Sequence, residues 1–477
     1  MRHSRLGLAF VMAFATHCSS DATPPAATSD DTGGTAAEGD TQANPDDDGA
    51  DSATETGAVT EPEGPTYYGD ILPLVIENCA GCHTEGGIGP FDLEDYEVAA
   101  SLAEAIALQT DLRLMPPFPA NNSGDCNTFK EARWLDDEAI ALFAEWSSTG
   151  AREGDPTLQQ PPHPELPALA GDDITALQTP ENYVPVADTS GTNGLDDYQC
   201  FFVDLGVQGE TRYITGFDVV PGNPAVAHHL VGFLVDPAAD SGIVGSNGGV
   251  IQTLDDASPD QPGWDCFGGA GNGIIPVGIP VTWAPGAGAF NLPEGTGVAV
   301  PEGYGLVVQM HYNLANGEGD DTTSVQLSWA DSVEREAINV GNDKFLAAGF
   351  TGGLEIPAGE EGWTWQWDGA LSELDDRVSD WGSVEVLGIL PHMHEIGRRM
   401  QIDLVSASDE QCAVFIDRWD FDWQQTFVYD TPLAANANDL LRVTCEWDST
   451  SRDAPTMPGL GSQNEMCALA IYLAPGQ

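Results

Sequence analysis

Leu390-Pro391-His392-Met393-His394 closes an apolar run from Ser383 to Ile389, and its two histidines decide how the C-terminal part of the chain is read. Residues two apart on a strand point to one face, so His392 and His394 can reach one metal ion without distorting the backbone. The chain has nine histidines. His3 and His17 lie in the leader-like start, His83 follows a pair of cysteines and His163 sits in a Pro-rich stretch. The other five all fall in ligand-like contexts. His228-His229 follow a turn at Pro221 to Pro224 and lead into an apolar strand, and His311 lies in the strand Leu306 to Leu314. Adjacent histidines cannot face one ion from a regular strand, so His228 and His229 need a strand end or a bulge. Histidines kept for core packing would scatter, whereas these cluster. Imidazole with thioether is a soft donor set that suits copper, particularly Cu(I); a hydrolytic zinc site more often includes a carboxylate or thiolate.

Around these histidines, residues 180 to 477 are dense in Gly, Pro, Val and Thr, with short alternating runs such as Gly305 to Tyr312 and Ser383 to Ile389. That pattern predicts strands. Two all-β domains of the jelly-roll or β-sandwich type are expected, over 181–335 and 336–477, with the split near 330 to 345.

Upstream, Cys79-Ala80-Gly81-Cys82-His83 places two thiols three positions apart beside a histidine. This spacing lets the thiols bond the two vinyl groups of one haem while the imidazole ligates its iron. A zinc or redox Cys-x-x-Cys is the alternative. Ile71 to Asn78 reads as a helix entering the motif, Leu93 to Thr110 has helical periodicity, and Asp136 or Asp137 can cap a helix running to Ser148. Helix, motif, helix, Met loop, helix resembles a small all-α class I cytochrome c, spanning 66–155. Met115, in Leu114-Met115-Pro116-Pro117-Phe118, is the expected sixth ligand, held in a Pro-stiffened loop. The other reading has Met115 packing on the haem and the sixth position open.

The 477 residues carry 76 acidic against 15 basic side chains, a formal net charge of -61. A nucleic-acid backbone or an anionic membrane surface would repel such a chain, which excludes both as partners. The start, residues 1–18, reads as an export signal: Arg2 and Arg5 precede the apolar run Leu6 to Ala15, too short to span a bilayer. Cys18 stands where the lipid-bearing cysteine of a bacterial lipoprotein would, though His17 is larger than the residue usual before it; ordinary cleavage nearby is the other reading. Membrane association is expected only through such a lipid, and the location periplasmic or at the outer membrane or cell surface. Residues 19–65 form an acidic spacer whose composition cannot bury apolar surface, and 156–180 a second, Pro-rich linker.

Taken together, the ligand segments resemble the copper- and ascorbate-dependent monooxygenases that include the peptidylglycine α-hydroxylating and dopamine β-monooxygenases, over roughly Tyr183 to Gln477. The resemblance implies two copper ions. One is held by His228 and His229 in Ala227-His228-His229-Leu230 and by His311 in Gln309-Met310-His311-Tyr312. The other, which binds oxygen, is held by His392 and His394 with Met466 of Asn464-Glu465-Met466-Cys467. Pro262-Gly263-Trp264-Asp265-Cys266 and Trp283-Ala284-Pro285-Gly286 lie between these segments as further points of likeness. It also implies bridges Cys200 with Cys266 and Cys445 with Cys467. Cys126 and Cys412 are left over, either paired between modules or free.

The implied activity is hydroxylation of a C–H bond of a small organic substrate by O2, with His392, His394 and Met466 as the catalytic set. Electrons would come through the covalently bound haem from an upstream donor, either an ascorbate-like reductant or a redox protein. Peptide-amidating members grip a carboxylate with an Arg two residues before the His pair and a Tyr four after the Met. Leu390 and Ala470 occupy those positions here, so an apolar or neutral substrate is expected. The rival reading is a haem and copper electron-transfer or copper-handling lipoprotein that hydroxylates nothing; a blue-copper site would have to recruit Cys467.

Overall fold

A computed structural model describes residues 64–179, 183–187, 194–241, 245–266, 269–315, 317–341, 348–349, 351–459 and 463–477. The leader, Cys18 and nearly all of the acidic spacer lie outside the described residues.

The first described elements are helical. A π-helical turn, Tyr67–Ile71, runs into α1 (Leu72–Asn78), whose first turn holds Pro73 where a missing N–H costs nothing. The periodic stretch after the cysteine pair forms two helices, α2 (Tyr96–Ser101) and α3 (Ala103–Asp111), broken at Leu102. Ser101 Oγ donates to the Val98 carbonyl at 2.7 Å, the kind of local side-chain bond that competes with helix continuation. Of the two candidate caps for α4 (Asp137–Ser148), Asp136 takes the role, accepting from Ala139 N at 2.7 Å. Tyr67, Ile71, Val75, Phe143 and Trp146 are fully buried together.

Everything after residue 173 is dominated by strands. In chain order they are β1 (Ile174–Gln178), β2 (Asp196–Asp204), β3 (Arg212–Val220), β4 (Ala227–Val235), β5 (Trp264–Asp265), β6 (Gly278–Trp283), β7 (Phe290–Asn291), β8 (Thr296–Val300) and β9 (Gly305–Asn313). They continue as β10 (Ser324–Ala330), β11 (Arg335–Val340), β12 (Glu361–Ala370), β13 (Ser383–His392), β14 (Gly397–Val405), β15 (Glu410–Ile416), β16 (Phe427–Asn436), β17 (Leu440–Asp448) and β18 (Ala468–Pro475). A large sheet runs β1-β10-β3-β8-β11-β18-β13-β16. Two smaller sheets have the orders β5-β2-β9-β4-β6 and β12-β17-β14-β15.

Side-chain alternation shows which sheet packs on which. Leu306, Val308, Met310 and Tyr312 of β9 enter a core with Phe217 and Val219 of β3 and Val325 and Leu327 of β10. Val384, Val386 and Ile389 of β13 join Met400, Ile402 and Leu404 of β14 and Leu441 and Val443 of β17 in another. The chain is thus mostly β-sandwich. The expected split near 330 to 345 falls on β11, which belongs to both halves: Arg335 to Ala337 pair in parallel with β8, and Ile338 to Val340 pair antiparallel with β18.

The stretch after Met115 leaves the helices and joins the C-terminal sandwich. Phe118, Ala120 and Phe129 are buried in its core, and isolated bridges pair Ala120 with Ile416 and Phe129 with Tyr429. Cys126 and Cys412, left open by the sequence, are bonded to each other across 286 positions; Cys200 with Cys266 and Cys445 with Cys467 are the other two bridges. Closing so long a loop restricts the unfolded chain strongly, so a Cys126→Ser/Cys412→Ser double variant is expected to lose about 2–5 kcal/mol of stability. A denaturant midpoint unchanged from the parent protein would show that core packing alone secures the strap. No helix among the described residues is long and apolar enough to cross a membrane.

Candidate metal centres

Strands β2, β9 and β4 lie side by side, and their register sets Tyr198 opposite His311 and His311 opposite His229. The register between β4 and β9 slips between Ala227 and His229. This irregularity supplies what adjacent histidines require, and it turns His228 onto the same side as its neighbours. The three Nδ1 atoms converge: His228 to His229 at 3.4 Å, His228 to His311 at 3.1 Å, and His311 to His229 at 3.0 Å. Ring nitrogens turned onto one another lack the protons to satisfy every contact, whereas one cation satisfies all three. Nitrogens about 2.0 Å from a central ion in a plane would lie about 3.5 Å apart, so the triangle needs little expansion to accept one.

Their surroundings favour neutral, ligand-ready rings. Burial and the neighbouring imidazoles hold His229 and His311 well below the usual histidine range, and burial lowers His228 against the opposing pull of Asp196. His311 Nε2 donates to Asp196 Oδ1 at 3.0 Å, which fixes the tautomer and leaves Nδ1 its lone pair. Tyr198 stacks on the same ring, centroids 4.1 Å apart and planes within 7°.

A second imidazole pair lies at the end of β13. His392 and His394 rings are 5.0 Å apart. His392 Nδ1 meets Gln424 Oε1 and His394 Nδ1 meets the Asn464 carbonyl at 3.1 Å, contacts that orient each ring. Burial, with His394 close by, pushes His392 down to about 3. Beyond the last paired residues, His392 with Ala468, the two segments stay together through Glu465. One oxygen of this buried carboxylate accepts from His394 N at 2.9 Å and from Met466 N at 3.3 Å; the other accepts from Ile396 N at 3.0 Å. Met466 is buried in the C-terminal core, beside Cys467 of the Cys445 bridge.

The two centres face one cavity of about 100 Å³. His229 and Tyr198 line it from the N-terminal sandwich, His392 and His394 from the C-terminal one. Leu390 and Ala470, paired across β13 and β18, form part of its wall with Phe233, Ile279 and Phe421. Among the described residues, no Asp, Glu, Lys or Arg lines it.

The Cys-x-x-Cys-His motif follows α1 directly. Among the described residues, Cys79 and Cys82 are the two cysteines outside the three bridges. His83 Nδ1 lies 3.3 Å from the Phe91 carbonyl, which leaves Nε2 available, and Gly89 passes so close that a Cβ there would stand 2.6 Å from the ring. Phe91, Leu108, Leu112, Leu114 and Met115 expose large apolar side chains in this helical region, the kind of surface a flat hydrophobic group would cover.

The histidines are legible in the sequence, but their partners Asp196, Tyr198, Gln424 and Glu465 are not, although Glu465 directly precedes Met466. Asp196 and Tyr198 become visible only through the β2 and β9 register.

A mostly β-sandwich chain that brings five imidazoles together at two neighbouring centres presents a donor set that suits a borderline or soft metal such as copper. Comparison with known proteins narrows this: residues 346–475 match the model of the copper type II ascorbate-dependent monooxygenase C-terminal domain. The chain is 23% identical over 314 residues to putative DBH-like monooxygenase protein 2 of Homo sapiens, covering 63% of this chain and 58% of that protein. It is 24% identical over 325 residues to dopamine beta-hydroxylase of Homo sapiens, covering 66% of this chain and 48% of that one. The chain thus spans about half the length of the curated relatives it matches. These matches support the copper type II ascorbate-dependent monooxygenase family, and with it copper as the metal. Among solved structures, an infectious bursal disease virus VP2 subviral particle aligns at 11% identity over 65% of this chain and 74% of its own, with a TM-score of 0.16.

Proposed function

We propose that this protein hydroxylates a C–H bond of a small neutral organic molecule with O2, drawing its electrons through a haem carried on the same chain. The observation that carries this reading is the shared cavity, walled by His229 on one side and by His392 and His394 on the other. Hydroxylation consumes one O2, two electrons and two protons; one oxygen atom enters product and the other leaves as water. Copper, when bound, supplies single-electron redox change and a place for O2.

The chain's own groups divide the remaining work. His228, His229 and His311 hold one ion, with Asp196 and Tyr198 fixing the His311 ring. His392, His394 and Met466 hold the other; Gln424, the Asn464 carbonyl and Glu465 set their orientation. Phe233, Ile279, Phe421, Leu390 and Ala470 exclude water and receive an uncharged substrate. Cys79 and Cys82 would bond the haem, His83 and Met115 would ligate its iron, and the exposed apolar set around Phe91 and Leu112 would shield it from water. An upstream reductant, ascorbate-like or a redox protein, refills it. Export to an oxidising compartment, with or without a lipid on Cys18, agrees with the three bridges.

Oxygen uptake by copper-loaded protein over a panel of aromatic, aliphatic, amine and glycine-extended peptide substrates tests this. Neutral apolar compounds are expected to stimulate uptake and to gain one oxygen in mass, and carboxylate-bearing peptides to do neither. Uptake unaffected by every compound would leave electron transfer or copper handling as the function.

A further inference from the structure

The Cys-x-x-Cys-His motif does not hang free of the β-sandwiches. It meets the turn that follows β6. A Cβ built on Gly81 would stand 3.5 Å from Gly286 Cα, and one built on Gly286 would stand 4.0 Å from Cys82 Sγ. Two residues without side chains therefore face each other, and the motif's backbone reaches the turn's backbone directly. Cys82 Sγ lies 3.9 Å from the Pro285 carbonyl oxygen. Arg133 closes the contact by donating from Nη1 to that same oxygen. In a chain with 15 basic residues and a net charge of -61, a guanidinium committed to one backbone carbonyl in this seam is a marked use of a scarce group.

Pro285 is two residues beyond the end of β6, and β6 is hydrogen-bonded to β4 with Trp283 opposite Leu230 and Thr282 opposite Val231. Leu230 is the neighbour of His229. From the Cys82 sulfur the connection runs over one short gap to Pro285, along two peptide units to Trp283, across one ladder rung to Leu230, and by one peptide unit to His229. The other imidazole pair is reached less directly. That route leaves β6 by the hydroxyl contact between Thr282 and Thr426, 2.8 Å, and must continue through the loop to Gln424 before meeting His392.

We propose that the Pro285-Gly286 turn, clamped by Arg133 against Cys82, is the electron entrance of the His228-His229-His311 centre, which makes Arg133 a positioning residue for haem-to-copper transfer. The inference rests on the proposed haem and copper loading. The step is a single-electron transfer in which iron goes from ferrous to ferric and copper from cupric to cuprous, with no bond made or broken.

The test uses the full chain loaded with haem and copper, held without oxygen or substrate. Its haem is reduced by a photochemical flash and followed through its Soret absorbance. In the parent protein the ferrous signal is expected to decay in a first-order process, independent of protein concentration, that disappears when copper is withheld. Arg133→Gln is expected to slow that decay severalfold, with the haem spectrum, the haem midpoint potential and the cupric resonance unchanged, and Arg133→Lys to restore part of the rate. Gly286→Ala provides an independent perturbation: its Cβ would stand 2.6 Å from the Arg133 Nη1, on a backbone with φ +81°, so either the guanidinium leaves the Pro285 carbonyl or the turn shifts, and both disturb the clamp. It too is expected to slow the transfer. A parent protein that transfers rapidly and variants that match it would overturn the entrance assignment. A parent protein with no copper-dependent decay would instead overturn haem supply itself.

Discussion

His392→Ala is expected to abolish substrate-coupled oxygen uptake and to lower bound copper by one ion per chain. The ring it removes lines the cavity, is half-buried, and keeps its Nε2 free of the Gln424 contact. Loss of an outer partner of a metal ligand typically costs about 10–100-fold in affinity or activity, so loss of the ligand itself should exceed that. The three-imidazole centre, carried on β4 and β9, should keep its ion. Metal analysis beside an oxygen electrode measures both quantities. Full copper content with uptake within about tenfold of the parent protein would place the oxygen-handling ion elsewhere.

The largest effect on stability is expected from Glu465→Ala. The carboxylate is fully buried and accepts from His394 N, Ile396 N, Met466 N and Trp447 Nε1. Burial pushes its carboxyl up to about 7 while the four donors pull the other way. Truncation leaves those donors without their acceptor at about 1–3 kcal/mol each, several kcal/mol in all, against a typical total of about 5–15 kcal/mol. The denaturant midpoint should fall sharply, and copper at His392, His394 and Met466 should be lost with it. Glu465→Gln keeps one accepting oxygen and should lie between. A midpoint for Glu465→Ala equal to that of the parent would mean that water replaces the carboxylate at no cost.

The parts of this structure legible in the sequence are those set by local rules. Two-residue spacing put His392 and His394 together, and their rings do meet. Adjacency at His228-His229 demanded an irregular strand, and the register slip beside Ala227 is that irregularity. The helix entering Cys79 and the cap at Asp136 were readable because capping and periodicity are short-range. What stayed hidden depends on residues far apart in the chain. Nothing near Asp196 announces that it will hold the His311 ring 115 positions away. The bond between Cys126 and Cys412 follows from a strap that deserts its helices for a distant core. The break at Leu102 was missed because apolar periodicity continues through it while the backbone does not.

The pairing of β11 has a consequence for how molecules reach the centre. One half of that strand is laced to β8 and the other half to β18, and Arg335 adds an ion pair to Glu385 at 2.6 Å. A clam-like gape between the sandwiches would have to unzip this seam. Widening the space between the imidazole groups by such a motion would therefore cost the backbone hydrogen bonds of this seam.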